Sequence, residues 1–322
     1  MYGRLRITPI TYYILSARSN PDRRFLGKIK KVNLNSETKN LLPQWFKEDT
    51  PKELILSNDI DSLLSVRLLE KIKPNWKLKY FYDFESGLYY LGDETGKKIN
   101  AVGVDIAIDK NIRTFDNHVT SDNNDGINPN AVNLNNVYGI GANNYSRKYC
   151  CSTALLIYSL YDIPLPPTDL GKALLLAIDS TYYSYYNPIA RNRPDWLEIH
   201  KHWLCDILEL HELYEFEKKS IIEDFNQYAF INEAKIQVID DWGNGKFQMY
   251  FPLDYKHIVE KELDICLDVP DEYFKLGLEV KAKSGKLNGL HKTDIMNRFN
   301  IMSFAMTAKN YCNFSVYEKR KK

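Results

Sequence analysis

The side chains with the most chemical promise are carboxylates. Asp59 and Asp61 stand one residue apart in ELILSNDIDSLLSVRLLEKI, Asp105 ends AVGVD, Asp116 and His118 share FDNH, and Asp179 lies in AIDST. Carboxylates gathered at strand ends, with one histidine, make an oxygen-rich pocket that repels itself unless a divalent cation neutralises it. Such a donor set suits Mn²⁺ or Mg²⁺ better than zinc, because it contains no sulfur. One or two such ions would activate a water and clamp a phosphoryl group. The competing reading of the first pair is structural: Asn58, Asp59 or Asp61 caps the helix that follows. One cap needs one side chain, and a second aspartate beside it adds repulsion.

The elements around these residues place them. Glu53 to Leu56 reads as a short buried strand, and Leu63, Leu64, Val66, Leu68, Leu69 and Ile72 recur at helical spacing. LKYFYDF (78–84), INAVGVDIAI (99–108) and RTFDNHV (113–119) read as further strands, with a turn at LGDETGKK between the first two. The first fifty residues are irregular and punctuated by Pro9, Pro21 and Pro43. Residues 120–147 form an asparagine-rich loop, of a length that in a compact domain is often functional. Helices follow over 146–163 and 168–186, and one long amphipathic helix runs from Trp196 to about Lys219. The remainder, from KIQVID through FQMYF and LGLEVKA to NFSVY, has the texture of α+β structure.

The expected fold is therefore α/β: a mostly parallel sheet with flanking helices over 1–195, a linker helix over 196–219, and a smaller α+β domain over 220–322. Open α/β sheets keep their sites beyond the carboxyl ends of their strands, where these aspartates fall.

Composition narrows the partners. A net charge of +1 gives no global field toward nucleic acid or membrane, although a local basic surface stays open. No segment approaches the length of a membrane span, and the N-terminus lacks the apolar core of a signal peptide. The five cysteines form no CxxC pair, which fits free thiols in a reducing, cytoplasmic compartment. Cys150 and Cys151 open an apolar helix with no histidine nearby in sequence, and read as buried small hydrophobes. In HKHWLCDILELH, His200 and His202 point about 160° apart on one helix and cannot share a metal. The terminal YEKRKK reads as a solvated end.

The order DIDS, VGVD, DNH, apolar helix, AIDST resembles the DHH phosphoesterase superfamily, which includes RecJ-type exonucleases, nanoRNases, cyclic dinucleotide phosphodiesterases and family II inorganic pyrophosphatases. The resemblance covers roughly residues 53–187, and INPNAV (127–132) is similar to an Asn-Pro segment that follows the family's DHH motif. It implies that Asp59 and Asp61 each hold one metal, that Asp105 bridges both, and that Asp179 completes the second site. Asn117 would stand at a ligand position. Asp116 and His118 would be catalytic, with His118 touching the substrate phosphate. It implies a second, smaller domain that supplies basic groups, and LEVKAKSGKLNGLHK offers Lys281, Lys283, Ser284, Lys286, His291 and Lys292 for substrate binding. The bland reading of that stretch is a surface turn with solvated lysines.

The chain departs from the family pattern in two ways. Asn117 replaces the middle histidine of DHH, and Ser57 and Ile55 occupy positions where the family places an upstream histidine or aspartate. The implied activity is Mn²⁺- or Mg²⁺-dependent hydrolysis of a phosphodiester in nucleic acid, a short oligonucleotide or a cyclic nucleotide. The alternative is a catalytically degenerate relative that binds nucleic acid or a protein without hydrolysis.

Overall fold

The computed structural model describes residues 33–92, 101–186, 194–241 and 243–317. The irregular stretch up to residue 32, the turn at 93–98 and the basic end from residue 318 lie outside the described residues. Leu54, Ile55 and Leu56 are wholly buried, as an apolar run must be, and form β1 (Lys52–Leu56) inside a nine-stranded sheet. Parallel pairing joins β1 to β2 (Trp76–Asp83) on one side and β4 (Ala101–Val104) on the other, then continues through β5 (Arg113–Phe115) and β6 (Ala131–Val132). Beyond β2 the sheet is antiparallel, through β3 (Gly87–Leu91), β9 (Tyr273–Glu279), β8 (Lys246–Tyr250) and β7 (Gln237–Asp240). The fold is α/β, with one large mixed sheet that is parallel at one end.

Strand alternation divides the side chains between two cores. Leu54, Leu56, Val102 and Val104 enter the larger core, while Ile55, Tyr80, Tyr82 and Ala101 enter the smaller one. β2 carries one extra residue here, for Leu78 pairs with Leu54 but Tyr80 with Ile55. That bulge lets Trp76 and Leu78 face the first core and Tyr80 and Tyr82 the second.

Helices Ile60–Ile72, Thr153–Leu160 and Asp169–Ala177 pack in the larger core. All residues of Thr153–Leu160 are buried, which its lack of any charged face allows. The smaller core receives Val280 and Met302 from the C-terminal region. There a second sheet forms, with antiparallel strands in the order β10 (Lys281–Lys286), β12 (Tyr311–Val316), β11 (Ile301–Ala308). Bridges Ile108↔Ser303 and Val119↔Met306 tie β11 to the segments that follow β4 and β5.

The single helix expected over 196–219 is interrupted. Pro194–Lys201 passes into a π-helical turn, His202–Ile207; Glu209 takes a left-handed φ of 54°; and His211–Lys219 starts afresh. Leu204 and Leu213 are both wholly buried, yet a straight helix would point them about 180° apart. The break lets both sides reach the core. Strands β7, β8 and β9, which follow this segment, extend the sheet that β1 to β6 begin. Among the described residues, no helix is long and apolar enough to cross a membrane.

Candidate metal and phosphate site

The chain leaves β1 through Ser57 and Asn58 and enters helix Ile60–Ile72 at Asp59, whose carboxylate accepts the Ser62 N–H at 3.0 Å. The cap reading therefore describes what Asp59 does, with one oxygen; the other remains available. Ser62 fastens the turn to the next strand. Its hydroxyl donates to the Val104 carbonyl at 2.7 Å and accepts the Ser57 N–H at 2.8 Å.

Asp61 points inward from the first helical turn and is 2 % exposed. Its two oxygens accept the backbone N–H groups of Thr153 and Ala154 at 2.7 and 2.8 Å. These are the unpaired donors that open helix Thr153–Leu160, so the carboxylate neutralises that helix end. Asp61 serves here as an anchor between two helices.

Asp105 follows β4 directly with a φ of 58°, a left-handed conformation that Asp tolerates better than most residues. Its N–H donates to the Phe115 carbonyl at 2.8 Å, and its carboxylate accepts the Thr153 hydroxyl at 2.8 Å. Burial pushes both Asp61 and Asp105 well above the ordinary carboxylate range. Asp179 and Asp59 push Asp61 further, and Asp61, Asp59, Asp179 and Asp116 do the same for Asp105. The self-repulsion expected from sequence is a property of this cluster.

Beyond β5, Asp116 is fully buried. It accepts His118 Nδ1 at 2.7 Å with one oxygen and Asn133 Nδ2 at 2.7 Å with the other. This fixes the histidine ring. Burial by itself would lower the His118 pKa, but the Asp116 charge and hydrogen bond, then Asp179 and Asp59, raise it to about 9. Asn117 donates from Nδ2 to the Cys151 carbonyl at 3.2 Å and to Asp179 Oδ2 at 2.9 Å. Asp179 sits where the expected helix over 168–186 breaks, with a φ of 54°, and its N–H donates to Asn232 Oδ1 at 3.0 Å.

Asparagines of the long loop supply the next layer. Asn133 Nδ2 also reaches the His118 carbonyl at 2.8 Å, and Asn135 Nδ2 the Asn117 carbonyl at 2.7 Å. Amides replace ladder hydrogen bonds where the strand has ended. Asn133, Asn135 and Thr153 were missed in the sequence because single polar residues carry no periodicity. The asparagine-rich composition was the one signal that could have found the first two.

Oxygen and nitrogen donors of Asp105, Asp116 and His118 all lie within 4.8 Å of one another. With Asp59 beside them, this oxygen-rich set fits Mn²⁺ or Mg²⁺. A pocket of ≈ 200 Å³ opens there, lined by Ser57, Asp59, Asp105 and His118 on one side and by Ser303, Thr307 and Asn313 of the second sheet on the other.

The residues expected to bind substrate from 281–292 do not line this pocket. β10 is the edge strand opposite β11, separated from it by β12. Lys283 lies over the Phe299 ring, Ser284 accepts the Tyr311 hydroxyl, and Lys281 and Lys286 are exposed. His291 Nδ1 contacts Asp122 Oδ2 at 2.7 Å. Lys292 is buried, paired with Asp109 and donating to the Gly126 carbonyl at 2.7 Å. Lys292, at the start of the helix Lys292–Arg298 between β10 and β11, ties that connection to the segment after β4. No protein-family model, curated protein or solved structure matches this chain.

Asn117→Asp tests the electrostatics. It replaces a donor to Asp179 with a like charge and leaves the Cys151 carbonyl unpaired, a loss of ~1–3 kcal/mol without metal. Thermal melts in EDTA should show that loss, and Mn²⁺ should recover most of it if residue 117 faces the ion.

Proposed function

We propose that this chain is a divalent-metal-dependent phosphoesterase, acting in the manner of the DHH phosphoesterases on a phosphodiester bound between the carboxylate cluster and the second sheet. The observation that carries the reading is the convergence of Asp59, Asp105 and His118 on one pocket beyond the carboxyl ends of β1, β4 and β5, with Asp116 buried behind His118. Asp59 and Asp105 would hold Mn²⁺ or Mg²⁺, one or two ions, with Asp61, Asp116, Asn117 and Asp179 shaping the field around them. A bound ion supplies charge neutralisation and a more acidic water.

The chain's own groups would do the rest. His118, held by Asp116, presents a cationic ring to a phosphate oxygen. Ser303, Thr307 and Asn313 offer hydroxyl and amide donors from the opposite wall. The second sheet would take the part of the family's smaller substrate-binding domain, with β11 rather than the lysines of β10 meeting the ligand. Short single-stranded oligonucleotides or cyclic nucleotides are the substrate class, and a cytoplasmic setting suits the free thiols.

A second reading is binding without hydrolysis. It is favoured by the Asn117 amide, which spends its donors on Asp179 and Cys151 where the family carries a ligand histidine. Turnover of bis(p-nitrophenyl) phosphate and of end-labelled short oligonucleotides decides between them. The enzyme should release product with Mn²⁺ or Mg²⁺ and stop in EDTA. Oligonucleotide binding that persists in EDTA, without turnover under any metal condition, would establish the second reading instead.

A further inference from the structure

Fifty residues separate Cys150 from His200, yet Cys150 Sγ lies 3.9 Å from His200 Nδ1. His200 Nε2 in turn lies 2.8 Å from Glu217 Oε2, and both of these side chains are 0 % exposed. Glu217 Oε1 is buried with no hydrogen-bond partner, so the carboxylate is committed to the imidazole alone. Cys150 and His200 line a separate pocket of ≈ 340 Å³, walled by Tyr145 and Trp196 and edged by Lys148 and Lys309. This pocket shares no lining residue with the one at the carboxylate cluster.

A buried histidine–glutamate pair is an expensive way to fill space, since apolar side chains of that volume would pack at no desolvation cost. A thiol, an imidazole against it and a carboxylate behind the imidazole form the order of nucleophile, base and orienting group. We propose that Cys150, His200 and Glu217 form a nucleophilic triad that attacks a small anionic ester or thioester held in this pocket. Two aromatic walls accept the apolar part of such a substrate, and the two lysines its negative charge.

The steps balance with water as the sole co-reactant. Cys150 gives its proton to His200 Nδ1, while Nε2–H stays donated to Glu217. The thiolate sulfur bonds to the acyl carbon, the bond from that carbon to the leaving oxygen or sulfur breaks, and the leaving group takes the proton from Nδ1. Water then attacks the acyl-thioester as His200 accepts its proton. The carboxylic acid departs and the thiol is restored. The resting electrostatics agree with this order. The Cys151 thiol's hydrogen bond lowers Cys150 well below the usual thiol range, against burial, and His200 lowers it further. Burial would lower His200, but the Glu217 charge and its hydrogen bonds to Cys150 and Glu217 raise it to about 10.

Sub-stoichiometric iodoacetamide at pH 7 on the full chain, with peptide mass mapping, compares Cys150 with the exposed Cys266. An activated thiolate should label at least ~10-fold faster than Cys266 despite its lower exposure. His200→Gln should slow Cys150 by a similar factor without changing Cys266. p-Nitrophenyl acetate should release a burst of one equivalent per chain, absent from Cys150→Ser. Comparing the two cysteines within the parent needs no variant to fold. Slower labelling of Cys150 than of Cys266, or no burst from the parent, would overturn the proposal. So would tightly held zinc in the parent that Cys150→Ser loses, which would make the cluster a metal site.

Discussion

Asp105→Asn is expected to lose at least about a hundredfold of metal-dependent phosphodiester hydrolysis, as when one charge-stabilising group is removed from an active site. It should also make the metal-free protein more stable. Asparagine accepts the left-handed backbone at this position, and its carbonyl can still receive the Thr153 hydroxyl, so the fold has no reason to change. What disappears is a buried negative charge among Asp61, Asp59, Asp179 and Asp116. The Asp105 carboxyl is raised above its unfolded value, so folding penalises its ionised form. That penalty is absent at a pH below the unfolded value and grows as pH rises toward the folded one. In EDTA the variant should therefore gain ~1–2 kcal/mol over the parent at neutral pH, and the gap should close below about pH 4. Mn²⁺ should reverse the order. An ion at a hundred times its dissociation constant stabilises the parent by ~2.7 kcal/mol, and the variant should lose most of that gain. Melts at two pH values, with EDTA or Mn²⁺, read all of these outcomes. Parental hydrolysis, or an undiminished response to Mn²⁺, would show that Asp105 holds no ion.

Lys292→Met should destabilise the protein by ~3–5 kcal/mol, because it strands the buried Asp109 carboxylate. Burial pulls Lys292 below the usual lysine range and pushes Asp109 above the usual carboxylate range, so each depends on the other for its charge. Removing both charges together, in Asp109→Leu with Lys292→Met, should restore most of the loss, since an apolar pair carries no desolvation cost. Urea unfolding of the two single variants and the double variant gives the coupling directly. The exposed Lys286→Ala should stay within ~0.5 kcal/mol of the parent. A Lys292→Met protein as stable as the parent but with a raised KM would instead restore this lysine to the substrate.

The sequence by itself determined four of the five strands at the parallel end of the large sheet; β6 falls within 120–147, which reads as loop, and β5 ends at Phe115 rather than at 119. β1 and β4 carry short apolar runs, β2 alternates buried and exposed residues before its own apolar end, and Asp59, Asp105 and Asp116 stand just past β1, β4 and β5. Period-two burial and a helix cap are local effects, written within a few consecutive residues. The donors of Asp105, Asp116 and His118 converge because adjacent parallel strands end side by side.

What lies outside that reach was decided by contacts distant along the chain. Asp61 reads as a possible ligand until the start of helix Thr153–Leu160 is laid against it. Lys292 reads as a phosphate binder until Asp109 closes over it. β9 joins β3 across more than half the chain, and β10 is turned to the far edge of the other sheet, because antiparallel partners are chosen by fit and not by nearness in sequence. Cys150 and Cys151 looked like inert apolar residues for the same reason. The histidine that changes one of them arrives from an interrupted helix, and the glutamate behind it from the helix after the break. Side-chain types were visible in the sequence. Their pairing follows from burial, which only the assembled core imposes.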